Sequence, residues 1–124
     1  MIAFLRDEPG GIAVGALLKQ QPPSCVAHSI NVCEAFYDFL RANGEPAADE
    51  AIGTLRAIGL KVQEDMDESF WKQAGRLKVN LRIPLADAIA ATLAQRFDAD
   101  IVTCDRGDFE RVAQAGVCRV TFIR

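Results

Sequence analysis

Four acidic residues occupy positions where carboxylates could do chemistry: Glu34, Asp87, Asp105 and Asp108. Asp87 is the clearest case, because it lies in the segment Pro84–Ala94, which is apolar on nearly every side. A helix that is apolar all round is usually buried, and a buried carboxylate is costly unless it changes its pKa or meets a cation. A group of carboxylates around a divalent metal would meet this requirement. The residue types therefore predict metal-dependent phosphoryl transfer.

Each of these acids also has a structural interpretation. Asn31 and Glu34 have the spacing of a capping box, with Asn31 as the N-cap of a helix. Asp105 and Asp108 could cap the helix that follows them and favour its positive end. Asp87 could be a first-turn acid near a helix dipole, but its apolar neighbours leave little room for a solvated face. Function is therefore favoured most strongly at Asp87.

Length and charge limit the classes of protein to which the chain could belong. Its 124 residues predict a single domain spanning residues 1–124. The hydrophobic content of 50% and the charged content of 25% are typical of a globular protein. The net charge of −3 gives no overall basic surface for nucleic acid. A nuclease stays possible, since a bound metal would reverse the local charge.

The remaining composition argues against a zinc site and against a membrane protein. The four cysteines form no CxxC pair and His28 is the single histidine, so a zinc-ligand set is not predicted and a core histidine is favoured. No apolar run approaches the roughly 20 residues of a membrane span. We also recognise no signal peptide, and we therefore expect a cytoplasmic protein.

Short β-branched runs alternate with longer helical patterns along the chain. This alternation predicts an α/β fold with a mostly parallel sheet, whose ligand site lies beyond the carboxyl ends of the strands. The predicted helices are Ile12–Lys19, Asn31–Arg41, Pro46–Ile58, Glu68–Val79, Pro84–Phe97 and Asp108–Ala115. The predicted strands are Cys25–Ile30, Leu60–Gln63, Ala99–Cys104 and Val117–Ile123.

Three segments together resemble the PIN-domain ribonucleases, and especially the VapC-like toxins of bacterial toxin–antitoxin pairs. These segments are His28–Tyr37, Leu85–Ala91 and Ile101–Phe109, and Ile2–Gly10 is similar to the segment that follows the first strand of the family. The likeness covers essentially the whole chain. Each motif is weak alone, but their order and spacing are fairly specific.

The resemblance implies a three-layer α/β/α PIN-like fold and an acidic site for Mg²⁺ or Mn²⁺, ions that prefer oxygen ligands. It also implies an RNA substrate, a small antitoxin as partner and a homodimer. The implied catalytic residues are Glu34, Asp87, Asp105 and Asp108. Glu34, Asp87 and Asp105 would be metal ligands, Asp108 would support the metal site directly or through water, and Asn31 and Thr103 would orient the carboxylates.

The sequence departs from the family at its beginning. Family members start with a short apolar strand that ends in an aspartate, some way before the segment Arg6–Gly10. Here the chain starts at Met1-Ile2-Ala3, so we expect the first central strand and its aspartate to be missing. Either the start is misplaced or this is a shortened relative with a weakened metal site.

Three functions follow from these observations. The first is a metal-dependent endoribonuclease, the toxin of a VapBC-type pair. The alternative is a degenerate PIN-like module that binds an antitoxin or another protein without efficient catalysis. A receiver-like phospho-acceptor is disfavoured, because it would carry a lysine late in the chain and the last lysine here is Lys78.

Overall fold

The computed structural model describes residues 1–124, which form two compact units, Met1–Gln63 and Glu64–Arg124. The assignment of a single domain stays a prediction. The first unit contains α1 (Ile2–Leu5), α2 (Gly11–Leu18), β1 (Val26–His28), α3 (Ser29–Asn43), α4 (Glu45–Ala57) and β2 (Lys61–Gln63). The second contains α5 (Glu68–Leu81), α6 (Leu85–Phe97), β3 (Ile101–Thr103), α7 (Arg106–Gln114) and β4 (Val120–Phe122).

Each unit has a two-stranded parallel sheet. In the first unit β1 pairs with β2, with Ala27 opposite Val62, and in the second β3 pairs with β4, with Val102 opposite Thr121. Parallel neighbours need a crossover, which helices provide between the paired strands of both units. Helices alternating with parallel strands confirm the predicted α/β class.

The first unit is built around α3 and α4, which follow β1 and precede β2 in the chain and pack against each other. The buried core consists of Leu18, Val32, Leu55 and Leu60. Gly59 follows α4 with a φ of +118°, and a Cβ there would lie 2.8 Å from the carbonyl oxygen of Leu18. Glycine is required there by both the backbone conformation and the close approach of the chain.

The start of α3 differs from the capping-box interpretation. The helix begins at Ser29, and the N-cap is His28, whose Nδ1 accepts a hydrogen bond from the amide of Ile30 at 3.2 Å. Asn31 therefore lies in the first turn and is not the cap. His28 is 1% exposed, as expected of a core histidine rather than an accessible ligand. The His28 cap was missed, although an imidazole nitrogen can also accept an amide hydrogen bond.

The second unit places α6 at its centre. This helix packs against α5, β3 and α7. Its buried face carries Ala88 and Ala91, which pack with Ile83, Phe109 and Val112 in the core of the unit. Small alanine side chains let α7 and its Phe109 approach α6 closely. This core therefore packs the start of α7 against α6.

An ion pair joins the start of α5 to the end of α6. Asp67 caps α5 by accepting the amide hydrogen of Phe70 at 3.0 Å, and its other oxygen lies 2.6 Å from Nη1 of Arg96. The Arg96 guanidinium also lies over the Phe70 ring, 4.9 Å from its centroid. Hydrogen bonds from Arg96, Ser69 and the Phe70 amide hold the pKa of Asp67 well below its ordinary value.

Asp67→Asn is expected to lower the midpoint of thermal unfolding at neutral pH by roughly a few degrees, because Asn keeps the cap but loses the ion pair. Since folding lowers the pKa of Asp67, its stabilisation is present above the unfolded pKa of about 4. It is lost as the pH falls through the folded value. Thermal unfolding of both proteins from pH 7 to pH 2 checks this, with Asp49→Asn on α4 as control. A difference that grows on acidification would contradict the assignment.

The predicted helices and strands are all present, with ends that differ by a few residues. The helix α1 was not predicted, because four residues are too few to show a helical period. The longest helix has 15 residues, and no helix is both long enough and apolar enough to cross a bilayer.

Candidate metal centre

Asp105 is held in the turn between β3 and α7. Its amide donates to Oγ1 of Thr103 at 3.0 Å, and its own Oδ1 accepts the amide hydrogen of Asp108 at 3.4 Å. Asp105 is therefore the N-cap of α7, and it comes directly after the strand and Cys104. This turn presents an exposed carboxylate at the carboxyl end of β3, where α/β folds place their ligands.

Asp108 is the third residue of α7, and its side chain is 26% exposed. Its Oδ1 accepts a hydrogen bond from Nη1 of Arg111, one turn further along the helix, at 3.1 Å. The positive end of the helix dipole also favours a carboxylate at this position. Asp108 is thus oriented by both the helix and a guanidinium.

Asp87 is the third residue of α6, which follows the N-cap Pro84. Asp87 was expected to be buried in an apolar helix, and the structure places it half-buried at the start of that helix. The apolar pattern around it instead buries the residues that follow it, which are Ala88, Ile89 and Ala91–Ala94. A partly exposed carboxylate is accessible to a cation from solvent.

The packing of α6 against α7 brings these three acids together. One carboxylate oxygen from each of Asp87, Asp105 and Asp108 lies within 4.8 Å of the others. Two helix N-termini contribute to this cluster, and their dipoles offset only part of the repulsion among three negative charges. Three convergent carboxylates form a donor set that fits a hard divalent cation such as Mg²⁺ or Mn²⁺. We call these residues the tri-aspartate cluster.

Glu34 and Asn31 lie in the first unit, on α3. They are three residues apart on the helix, so they share one face with each other and with Asp38, one turn beyond. Glu34 is half-buried, and Asp38 forms an ion pair with Arg6 at 2.7 Å. The assignments of Glu34 as a metal ligand and of Asn31 as an orienting residue stay predictions.

Three basic residues that could contact RNA phosphates have partners within the protein. Arg6 pairs with Asp38 and lies over the Phe39 ring. Lys78 donates to the carbonyl oxygen of Ile83 at 3.4 Å. Arg106 lies over the Phe122 ring, 4.6 Å from its centroid. These contacts favour a structural role for the three side chains.

Arg111 was not singled out from the sequence. Its spacing of three residues from Asp108 was the only local signal, and such a spacing is common on helices. Its second partner, the carbonyl oxygen of Arg82, is 29 residues away in the chain and could not be predicted.

The family model described as PIN domain matches residues 1–115, nearly the full length of the chain. No curated protein matches the sequence.

Proposed function

The chain belongs to the PIN domain family, whose members are generally nucleases, and we propose that it is a metal-dependent endoribonuclease. The observation that carries the proposal is the tri-aspartate cluster, because this acidic group lies in a chain whose family indicates a nuclease. The finer assignment, the toxin of a VapBC-type toxin–antitoxin pair, rests on the resemblance of the three sequence segments.

The three aspartates have separate tasks in this proposal. Asp87, Asp105 and Asp108 would hold Mg²⁺ or Mn²⁺ through their carboxylate oxygens. The bound cation would lower the pKa of a water molecule and stabilise the charge that develops at the phosphate. Asp105 is oriented by the turn bond between its amide and Thr103, and Asp108 by Arg111. Such orienting bonds would reduce the cost of ordering the ligands.

Glu34 is proposed as a further ligand on the strength of the resemblance alone. Glu34→Gln would therefore weaken Mn²⁺ binding and RNA cleavage if the assignment holds. The proposed partners, a small antitoxin and a second copy of the chain, have the same basis. So does the proposed cytoplasmic location.

Titration with Mn²⁺ tests the cluster without requiring a substrate. A cation that binds the folded protein raises its stability by mass action, by about 2.7 kcal/mol at a hundred times the dissociation constant. We expect the midpoint of thermal unfolding to rise with Mn²⁺ concentration, and the rise to disappear in Asp87→Asn. Asp49→Asn, which removes an exposed acid from α4, should respond like the wild type. No response in the wild type would contradict a metal site.

Cleavage of single-stranded RNA in Mn²⁺ or Mg²⁺ then tests the activity. Cleavage that requires the cation and is lost with EDTA is the expected result. A protein that binds Mn²⁺ but leaves RNA intact would favour the alternative, a PIN-like module that binds an antitoxin without efficient catalysis.

A further inference from the structure

Arg111 connects the tri-aspartate cluster to the turn between α5 and α6. Its Nη1 lies 3.1 Å from Oδ1 of Asp108 and 3.0 Å from the carbonyl oxygen of Arg82. A terminal guanidinium nitrogen carries two hydrogens, so it can donate to both oxygens at once. One side chain thus bonds to an acid of the cluster and to the backbone of a distant turn.

The turn that Arg111 holds leads directly to Asp87. Arg82 ends α5 in the left-handed conformation with a φ of +54°, and Ile83 and Pro84 then bring the chain to the start of α6. Lys78 donates to the carbonyl oxygen of Ile83, the next one along. Two cationic side chains therefore hold successive carbonyl groups just before the helix that carries Asp87.

From this geometry we propose that Arg111 is a positioning residue for the metal centre, an inference that rests on the proposed function. Its bridge would orient Asp108 through Oδ1, and Oδ2 would then be available to a cation. The bridge also ties the first turn of α7 to the entry of α6, so Asp108 and Asp87 are held in one arrangement.

The direction in which cation affinity changes when Arg111 is replaced distinguishes a positioning role from a purely electrostatic one. Removal of a positive charge beside the cluster would by itself tighten cation binding, because the guanidinium and the cation repel each other. Loss of the bridge would weaken binding, because Asp108 must then be ordered when the cation binds. Arg111 is 50% exposed, so water screens the repulsion strongly, whereas the bridge is geometric. We therefore expect positioning to dominate.

The test compares Arg111→Met with Arg111→Gln in the full chain, with Mn²⁺ alone as the probe. Both variants lose the same charge, but only glutamine can still donate to Asp108. Isothermal titration calorimetry should show roughly tenfold weaker Mn²⁺ binding for Arg111→Met, the loss typical of an oriented ligand's partner. Arg111→Gln should lose clearly less. Thermal unfolding without metal shows that both variants are folded at the titration temperature.

Arg119→Met is the matched control. Arg119 is also an exposed arginine of the second unit, but it pairs with Asp98 and Asp100. The Arg119→Met protein should bind Mn²⁺ with the affinity of the wild type. Equal or tighter binding by Arg111→Met, or equal weakening in Arg111→Met and Arg111→Gln, would overturn the positioning role while leaving the metal site intact. Absence of Mn²⁺ binding in the wild type would overturn both this inference and the proposed function.

Discussion

Asp87→Asn is expected to abolish Mn²⁺-dependent RNA cleavage while leaving the fold intact. Asparagine has the shape of aspartate but offers a neutral amide oxygen, so the cluster would lose one of its three negative charges. Changes to residues that only support metal ligands cost 10–100-fold in affinity or activity, so loss of a ligand should weaken Mn²⁺ binding by at least about a hundredfold. Cleavage rates and calorimetric titration measure the two effects.

A control variant and the stability of Asp87→Asn distinguish loss of a metal ligand from loss of the fold. Asp49→Asn changes an exposed acid on α4 and should retain full cleavage. Without metal, the midpoint of thermal unfolding of Asp87→Asn should equal or slightly exceed that of the wild type. The substitution removes one of three carboxylates that repel one another. If Asp87→Asn cleaved RNA at the wild-type rate, Asp87 would be only a first-turn acid at the helix dipole.

Phe109→Ala is expected to lower the free energy of unfolding by about 3–5 kcal/mol, the range for removal of a buried phenylalanine. Phe109 is 6% exposed and packs in the core formed by α6, α7 and the residues around them. It directly follows Asp108, so the cavity would loosen the start of α7 against α6. We therefore expect weaker Mn²⁺ binding even at temperatures where the variant is folded.

Urea unfolding of Phe109→Ala measures the loss of stability. Mn²⁺ titration at low temperature measures whether the affinity of the tri-aspartate cluster falls while the protein is still folded. Phe97→Ala makes the same chemical change at the end of α6, where the side chain is 51% exposed. It should cost little in either measurement. Normal Mn²⁺ affinity in a folded Phe109→Ala protein would show that the cluster does not depend on this packing.

Local patterns in the sequence predicted most of the secondary structure. The alternation of β-branched runs with helical stripes was sufficient for α/β, because strand and helix periods are properties of short segments. The start of α3 was misplaced because Asn31 and His28, three positions apart, can both cap a helix. The structure shows that the buried imidazole of His28 is the cap. The helix α1 carried too short a pattern to detect.

The sequence by itself determined that four acids lie at or near the starts of predicted helices, where each carboxylate could either cap a helix or bind a metal ion. It also determined the order of motifs that identifies the PIN family. Only the tertiary structure decided that Asp87 meets Asp105 and Asp108. Asp87 and Asp105 are 18 positions apart in the chain, and their approach depends on how α6 packs against α7. It likewise decided the bridge of Arg111 to Arg82, since a hydrogen bond across 29 residues has no local pattern.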